Sequence, residues 1–343
     1  MSSNLSLQWE CLTLVLRHPF RLSYGVSETR RTYWVRLGDD VGWGEATLPP
    51  YYGVPLTDFE AYWEMRRQRG LRWPESLEDL PAWVGVEGPA AARCALEMAA
   101  CDYLARRAGQ PLYQFLGLPE PPALPTSLTI AIDTPAAMAE VAARMSAYPV
   151  LKLKLGGAED LERLEAVRAA RPEAEIRIDA NAGWTLEEAR AYLPRLEALR
   201  VSMIEQPLPK TALAEMGQLQ QMTLIPVVAD ESLQTYADVE RLATAGVRGI
   251  NVKLMKTGGL LEALRIIRRA RELGLQVLLG CMIETSLGTT AMAHLAALAD
   301  WLDLDAPLLI ANDPFEGVSY DPNGRIRVPA RPGIGVIKRI SHY

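Results

Sequence analysis

PVLKLKLGGAEDLERLEAVRAARPEAEIRIDANAGW, residues 149–184, reads as strand, helix, strand. PVLKLKL and EIRIDA are short runs rich in Val, Ile and Leu, and LERLEAVRAA between them carries apolar residues at helical spacing. The alternation continues on both sides. PTSLTIAI (125–132) precedes it, and SMIEQP (202–207), PVVADE (226–231), GINVKLM (249–255), VLLGCMIE (277–284) and WLDLDAP (301–307) follow. LEEARAYLPRLEAL, YADVERLATAG and LLEALRIIRRARELG separate these runs as helices, the last stopping at Leu273-Gly274. Eight such strands alternating with helices specify βαβ units and a parallel sheet. The polar residues closing seven of them, Lys154, Asp179, Glu205, Asp230, Lys253, Cys281 and Asp303, recur every 22 to 28 residues. That period fits a (β/α)8-type barrel, in the form (β/α)7β, better than an open sheet, although spacing alone leaves a doubly wound fold open. In a barrel these residues fall at the C-terminal strand ends, where active sites lie.

Upstream, the pattern changes. SLQWECLTLVLRHPF (6–20), RTYWVRLGD (31–39) and DVGWGEAT (40–47) read as antiparallel strands, with Gly38-Asp39-Asp40 as a hairpin turn. TDFEAYWEMRRQR and GPAAARCALEMAACDYLARRAG follow as helices, and Cys94 and Cys101 share one face of the second as small buried hydrophobes. Residues 1–120 are thus expected to form an α+β capping domain, with specificity loops near 20–28 and 48–56. The second of these contains PPYYGVP, whose turn chemistry suits a cover over a pocket. Residues 121–310 would form the barrel, and 311–343, rich in Pro and Gly, would return to the capping domain.

Composition narrows the function classes. Hydrophobic residues make up 49% and the net charge is −6, which excludes a disordered chain and gives a nucleic acid no basic field to find. No run reaches the ~18 apolar residues of a membrane span. The N-terminus lacks a signal-peptide pattern, so a cytoplasmic protein without membrane partners is expected. Four cysteines form no CxxC, and three scattered histidines make no zinc site. Of 36 basic residues only six are lysine, and four of the six, Lys152, Lys154, Lys253 and Lys256, sit in VLKLKLGG and NVKLMKTGG. A lysine can be tuned to lose its proton, whereas arginine cannot.

Asp179, Glu205 and Asp230 end three successive strands. Each alone reads equally as a helix N-cap or a surface ion pair; together they are three converging oxygen ligands that would repel one another without a hard cation such as Mg²⁺. The lysine strands flank the trio from opposite sides. A lysine base needs its pKa lowered from about 10.4 to roughly 7–8, and burial, a second ammonium and a divalent cation would all push that way. Two amines facing each other across a metal-held enediolate suit removal of a proton from one face of a carbon and its return to the other.

The set KLK (152–154), DANAGW (179–184), IEQP (204–207), ADES (229–232) and NVKLMKTGG (251–259) resembles the enolase superfamily, muconate-lactonizing-enzyme subgroup. CMIETSLGTTAMAHLAA followed by LDLDAP resembles the dipeptide epimerases within it. The resemblance implies a Mg²⁺-dependent dipeptide epimerase, with Mn²⁺ as a substitute metal, acting by two-base 1,1-proton transfer at the C-terminal residue of the substrate. N-acylamino-acid racemisation, o-succinylbenzoate synthesis and, further off, muconate-type cycloisomerisation are the alternatives. A non-catalytic barrel would be expected to lack catalytic groups that this chain retains. The small-molecule substrate is the expected partner, and a homo-oligomer is left open.

Carried over residue by residue, the resemblance makes Lys154 and Lys253 the bases and Asp179, Glu205 and Asp230 the metal ligands. Lys152 would hold the reacting carboxyl group with help from Thr129, Asp303 and Asp305 would bind the substrate ammonium, and Cys281 would line the pocket where relatives commonly have Ser. Lys256 reads as supporting, and Glu284 equally as an acceptor behind the site or as packing. Alanyl-glutamate epimerases can place an Arg where this chain has Gly25; its absence, with Tyr24, Tyr51 and Tyr52 nearby, points to an apolar second residue, with Arg21 as the alternative cation.

Overall fold

The computed structural model describes residues 5–23 and 25–339. Strands β1 (Leu7–Leu22), β2 (Gly25–Leu37) and β3 (Gly42–Ala46) form an antiparallel sheet in that order. Pairing of β1 with β2 runs from Leu7↔Leu37 to Leu22↔Gly25, with an irregularity between Val15 and Phe20. The segment near 20–28, expected as a loop, is therefore largely the paired tip of a hairpin, because its backbone groups find partners across the ribbon. The segment near 48–56 instead contains a single 3₁₀ turn, Pro50–Tyr52. Cys94 and Cys101 are fully buried in the helix Ala90–Arg107 that packs on this sheet.

Strands β4 (Leu128–Ile130), β5 (Val150–Lys154), β6 (Glu175–Asp179), β7 (Val201–Glu205), β8 (Val227–Ala229), β9 (Gly249–Val252), β10 (Gln276–Gly280) and β11 (Trp301–Asp303) lie side by side in chain order, all parallel. The ring closes where Thr126 bridges Leu302 and the Ser127 N–H donates to the Leu302 carbonyl at 3.0 Å. A helix of eight residues or more follows each of β4 to β10, whereas β11 is followed by only the four-residue helix Ala306–Leu309. This is the (β/α)7β barrel. Alternate side chains fill its interior in layers. Met203, Val228, Leu278 and Trp301 form an apolar layer, and the next inward positions on the same strands are Glu205, Asp230, Gly280 and Asp303.

Two buried glutamates from the first 120 residues join the sheet region to the barrel by capping its helices. Glu97 accepts from the Leu261 N–H at 2.9 Å, at the start of helix Leu260–Glu272. Gly259 there has φ 142°, and an added Cβ would lie 2.2 Å from the Glu97 carboxylate, which accounts for the glycine pair closing NVKLMKTGG. Glu45 on β3 accepts from the Thr285 and Gly288 N–H groups, both at 2.9 Å, at the start of helix Ser286–Ala293. Residues 315–338 pack back on the first sheet, with the Phe315 ring 5.3 Å from Trp34 and 5.7 Å from Trp43. Among the described residues no helix is long and apolar enough to cross a membrane.

His294 ties three parts of the chain together. Its Nδ1 accepts from the Tyr113 N–H at 3.3 Å and its Nε2–H donates to the Ile334 carbonyl at 3.0 Å, so the two bonds select the neutral ring with the proton on Nε2. Burial pushes its pKa down to about 4. The unfolded chain, titrating near 6.5, takes up this proton first as pH falls, so the contribution is fully present at pH 7 and is lost between about 6.5 and 4. The fall in unfolding free energy from pH 7 to pH 5, measured in urea, should be about 2 kcal/mol larger in the wild type than in His294→Gln. Equal falls would show that the ring is protonated in the fold.

Candidate active site

At the C-terminal mouth of the barrel, strand geometry collects the charged residues. Asp179, Glu205 and Asp230, each buried, place one carboxylate oxygen apiece within 4.8 Å of the others. Their surroundings are ammonium groups. Lys154 Nζ donates to Asp179 Oδ2 at 2.6 Å, Lys253 Nζ to Asp230 Oδ2 at 2.8 Å, and Lys256 Nζ bonds Asp230 and the Asn251 carbonyl. Lys152, 2% exposed, lies 2.7 Å from Asp303, 2.7 Å from Glu205 and 3.1 Å from Asp179. Its ammonium is thus enclosed by three carboxylates.

The balance within this cluster differs from the sequence reading in one respect. Burial does work to lower the Lys253 ammonium, but Asp230 and Glu205 together outweigh it and hold its pKa well above the ordinary lysine value. Lys152 is raised in the same way by Asp303, Glu205 and Asp179. The carboxylates, closer and more numerous than neighbouring ammoniums, set the sign. The mutual repulsion of the carboxylates falls on Glu205: burial, then Asp179 beside it, pushes its pKa up to about 7.

Lys154 and Lys253 line one pocket of about 50 Å³ together with Thr129, Asn181, Cys281, Asp303 and Asp305. β5 and β9 are four strands apart in a ring of eight, so the two lysines face each other across the barrel axis. Asp303 accepts from Ser127 Oγ at 2.6 Å as well as from Lys152, and Lys152 and Lys154 overcome its burial to hold its pKa at about 2. Asp305 accepts from the Thr129 N–H at 2.7 Å, and burial and Asp303 raise it to about 6. Cys281 Sγ donates to the Asp303 carbonyl at 3.2 Å. Tyr51 lines the pocket and its ring lies 4.7 Å from that of Tyr52, whereas Tyr24 lies outside the described residues. Neither Lys152 nor Lys256 is among the lining residues, and Glu284 sits behind them, accepting from the Met282 N–H at 3.3 Å.

Residues 136–338 match the family model described as enolase C-terminal domain-like. The chain belongs to the enolase superfamily. It is 36% identical over 331 residues to an L-Ala-D/L-Glu epimerase of Bacteroides thetaiotaomicron, covering 95% of this chain and 86% of that protein. It is 35% identical to a hydrophobic dipeptide epimerase of Roseobacter litoralis, covering 98% of this chain and 100% of that one. A crystal structure of a Cytophaga hutchinsonii dipeptide epimerase, complexed with Mg and D-Ala-L-Val, superposes with TM-score 0.91 at 29% identity, covering 99% and 97% of the two chains.

Several polar residues of this superfamily barrel escaped the sequence reading because no periodicity marks them. Gln206, the Gln of IEQP, accepts from the Asp230 N–H at 2.9 Å and donates to Ser232 Oγ at 2.9 Å, fixing the backbone that carries Asp230. Asn251 donates to Glu205 Oε1 at 2.7 Å, and Gly280 leaves room for it, since a Cβ there would lie 2.5 Å from Asn251 Oδ1. Asn181, Ala182 and Gln206 take φ of 44°, 60° and 34° just beyond β6 and β7, the local backbone strain found at functional sites. Such a signal is invisible in sequence except as the bare motifs DANAGW and IEQP. The remaining omission is Arg30, which lines the pocket from β2.

An all-oxygen, buried, mutually repelling donor set fits a hard divalent cation. Added Mg²⁺ at about 100 times its Kd should raise the unfolding free energy by about 2.7 kcal/mol. Glu205→Gln should remove that Mg²⁺-dependent increment in urea titrations with and without EDTA. An increment of the same size in the variant would place the ion elsewhere.

Proposed function

We propose that this protein is a Mg²⁺-dependent dipeptide epimerase inverting the α-carbon of the substrate's C-terminal residue. The observation that carries the reading is one small pocket lined by two lysine side chains on opposed strands, Lys154 and Lys253, and by the acidic pair Asp303 and Asp305. Inversion needs a proton taken from one face and another delivered to the opposite face, and side chains on opposed strands provide both. An acidic pair in the same pocket selects a substrate that brings a free ammonium group. The named activities of the relatives support the same choice.

Asp179, Glu205 and Asp230 would hold the ion. When bound, Mg²⁺ supplies charge stabilisation to the substrate carboxylate as its α-proton becomes acidic. Lys152 orients that carboxylate from the centre of the barrel. Lys154 and Lys253 exchange roles with the direction of reaction, one accepting as the free amine and the other donating as the ammonium. Both lysines would compete with a cation held by Asp179 and Asp230 for those carboxylates, which favours the free amine. Asp305, with Asp303 behind it anchored by Lys152 and Ser127, receives the substrate ammonium. Thr129 fixes Asp305 through its backbone N–H, and Cys281 closes the pocket wall.

Lys154→Ala and Lys253→Ala should each lower net epimerisation by roughly 10²–10⁴-fold or more, the usual worth of a positioned acid–base group. Each should still exchange the α-proton of one epimer with D₂O, and the two variants should differ in which epimer exchanges. Lys154→Arg should match Lys154→Ala, because arginine keeps its proton. Full activity in Lys253→Ala with loss in Lys256→Ala would move the base by three residues. Asp305→Asn should lower kcat/KM for dipeptides by roughly 30-fold or more, the cost of breaking a desolvated charge pair. Proton exchange with N-succinyl amino acids, and with no dipeptide, would replace the reading by N-acylamino-acid racemisation.

A further inference from the structure

The pocket has two kinds of wall. The barrel contributes the ammonium and carboxylate groups already described, and the sheet region contributes Phe20, Leu22, Arg30, Pro49 and Tyr51. Of these five, only Arg30 is charged. It is 8% exposed, and Nη2 donates to Ser27 Oγ at 3.2 Å. Its Nε is buried with no hydrogen-bond partner, and among the described residues no carboxylate pairs with it and no ring lies beneath it. A guanidinium keeps its charge in a protein, and a buried charge without a counter-ion is costly. Such a group in a pocket wall is arranged for an anion that arrives with the ligand.

If the dipeptide reading above holds, the substrate's main groups are already assigned to the barrel: the reacting carboxylate to Lys152, the α-carbon to Lys154 and Lys253, and the ammonium to Asp303 and Asp305. Two side chains remain, and the one on the inverted carbon, held between Lys154 and Lys253, is the one nearest the sheet residues that line the same pocket. We infer that Arg30 binds an anionic side chain there, so that the preferred substrates carry Glu or Asp as their second residue. This differs from the apolar second residue that Gly25 and the tyrosines suggested. Arg21, the alternative cation in the sequence, is exposed and lines an adjoining cavity of about 600 Å³, which shares Phe20, Thr129 and Leu309 with the reaction pocket, but it does not line the reaction pocket itself. The guanidinium fork suits a carboxylate, and its position on a paired strand fixes its direction.

The test compares L-Ala-L-Glu with L-Ala-L-Gln, which differ in charge but hardly in shape, using Mg²⁺-loaded wild type, Arg30→Met and Arg30→Lys. The wild type should favour Glu over Gln in kcat/KM by about 30-fold or more, as for a desolvated charge pair. Arg30→Met should bring that ratio close to one, and Arg30→Lys should restore part of it through KM. Should Arg30→Met fail to fold, the ratio in Arg30→Lys decides: a fall from the wild-type value supports Arg30, and an unchanged ratio overturns it. A wild-type ratio near one, or a ratio unchanged in folded Arg30→Met, overturns the assignment of Arg30 while leaving the epimerase reading intact. Absence of α-proton exchange with every dipeptide in D₂O overturns that reading and this inference with it.

Discussion

Everything at the barrel mouth follows from burying like charges close together. Three carboxylates converge within one small space, and a fourth, Asp303, adjoins them through Lys152. In a low-dielectric interior such a group is tolerable only if every charge has a counter-charge at hydrogen-bond distance. The chain supplies Lys152, Lys154, Lys253 and Lys256 for this purpose, each on a carboxylate. Removing any one leaves an uncompensated buried ion, so the cluster behaves as a unit rather than as separable pairs. The lysine count in an otherwise arginine-rich chain has its physical reason here. An ammonium is a compact point charge that fits between carboxylates, where a planar guanidinium would not.

A charge cluster of this kind has to be held by rigid surroundings. Parallel strands fix the Cα positions of the charged residues, Gln206 holds the Asp230 backbone N–H, and Asn251 fixes the Glu205 carboxylate from behind. Strained backbone at Asn181, Ala182 and Gln206 is sustained by these bonds: the Asn181 N–H donates to Asp179 Oδ1 at 2.9 Å. Farther out, Glu97 and Glu45 reach from the sheet region to cap two barrel helices, so the pocket cover is attached through buried hydrogen bonds as well as apolar contact.

The architecture was readable because it is periodic. The recurrence of polar residues every 22 to 28 positions located seven strand ends, and each of those residues lies at the barrel mouth. What sequence could not supply was the strength of coupling between neighbours. Lys253 was expected to be pushed down by burial, yet the distance to Asp230, 2.8 Å, reverses the direction. Arg30 was hidden for a different reason. ETRRTYWV contains two adjacent arginines, and only pairing register tells which one turns inward: Arg30 is buried and Arg31 exposed. A strand alternates its faces, so a shift of one residue would exchange them. Likewise, the 20–28 segment has turn residues but finds backbone partners across the hairpin, a long-range fact that local propensity does not record.

If Arg30 selects the substrate side chain as proposed, the division between the two walls separates chemistry from selection. The groups proposed to move protons and to hold the reacting carboxylate sit on barrel strands, tied into one charge cluster in which any substitution disturbs all the rest. Of the sheet residues facing the pocket, Tyr51 interacts with the Lys253 ammonium, whereas Phe20, Leu22 and Pro49 are apolar and Arg30 bonds Ser27. Their substitution can change which side chain is accepted without changing the charges that the reaction needs. A cation on a paired strand also stays where it is placed, whereas one on a mobile loop would lose part of its binding energy to ordering. The fold therefore concentrates its electrostatic cost in the barrel, where geometry is rigid, and leaves selectivity to a few side chains on a ribbon laid across the mouth.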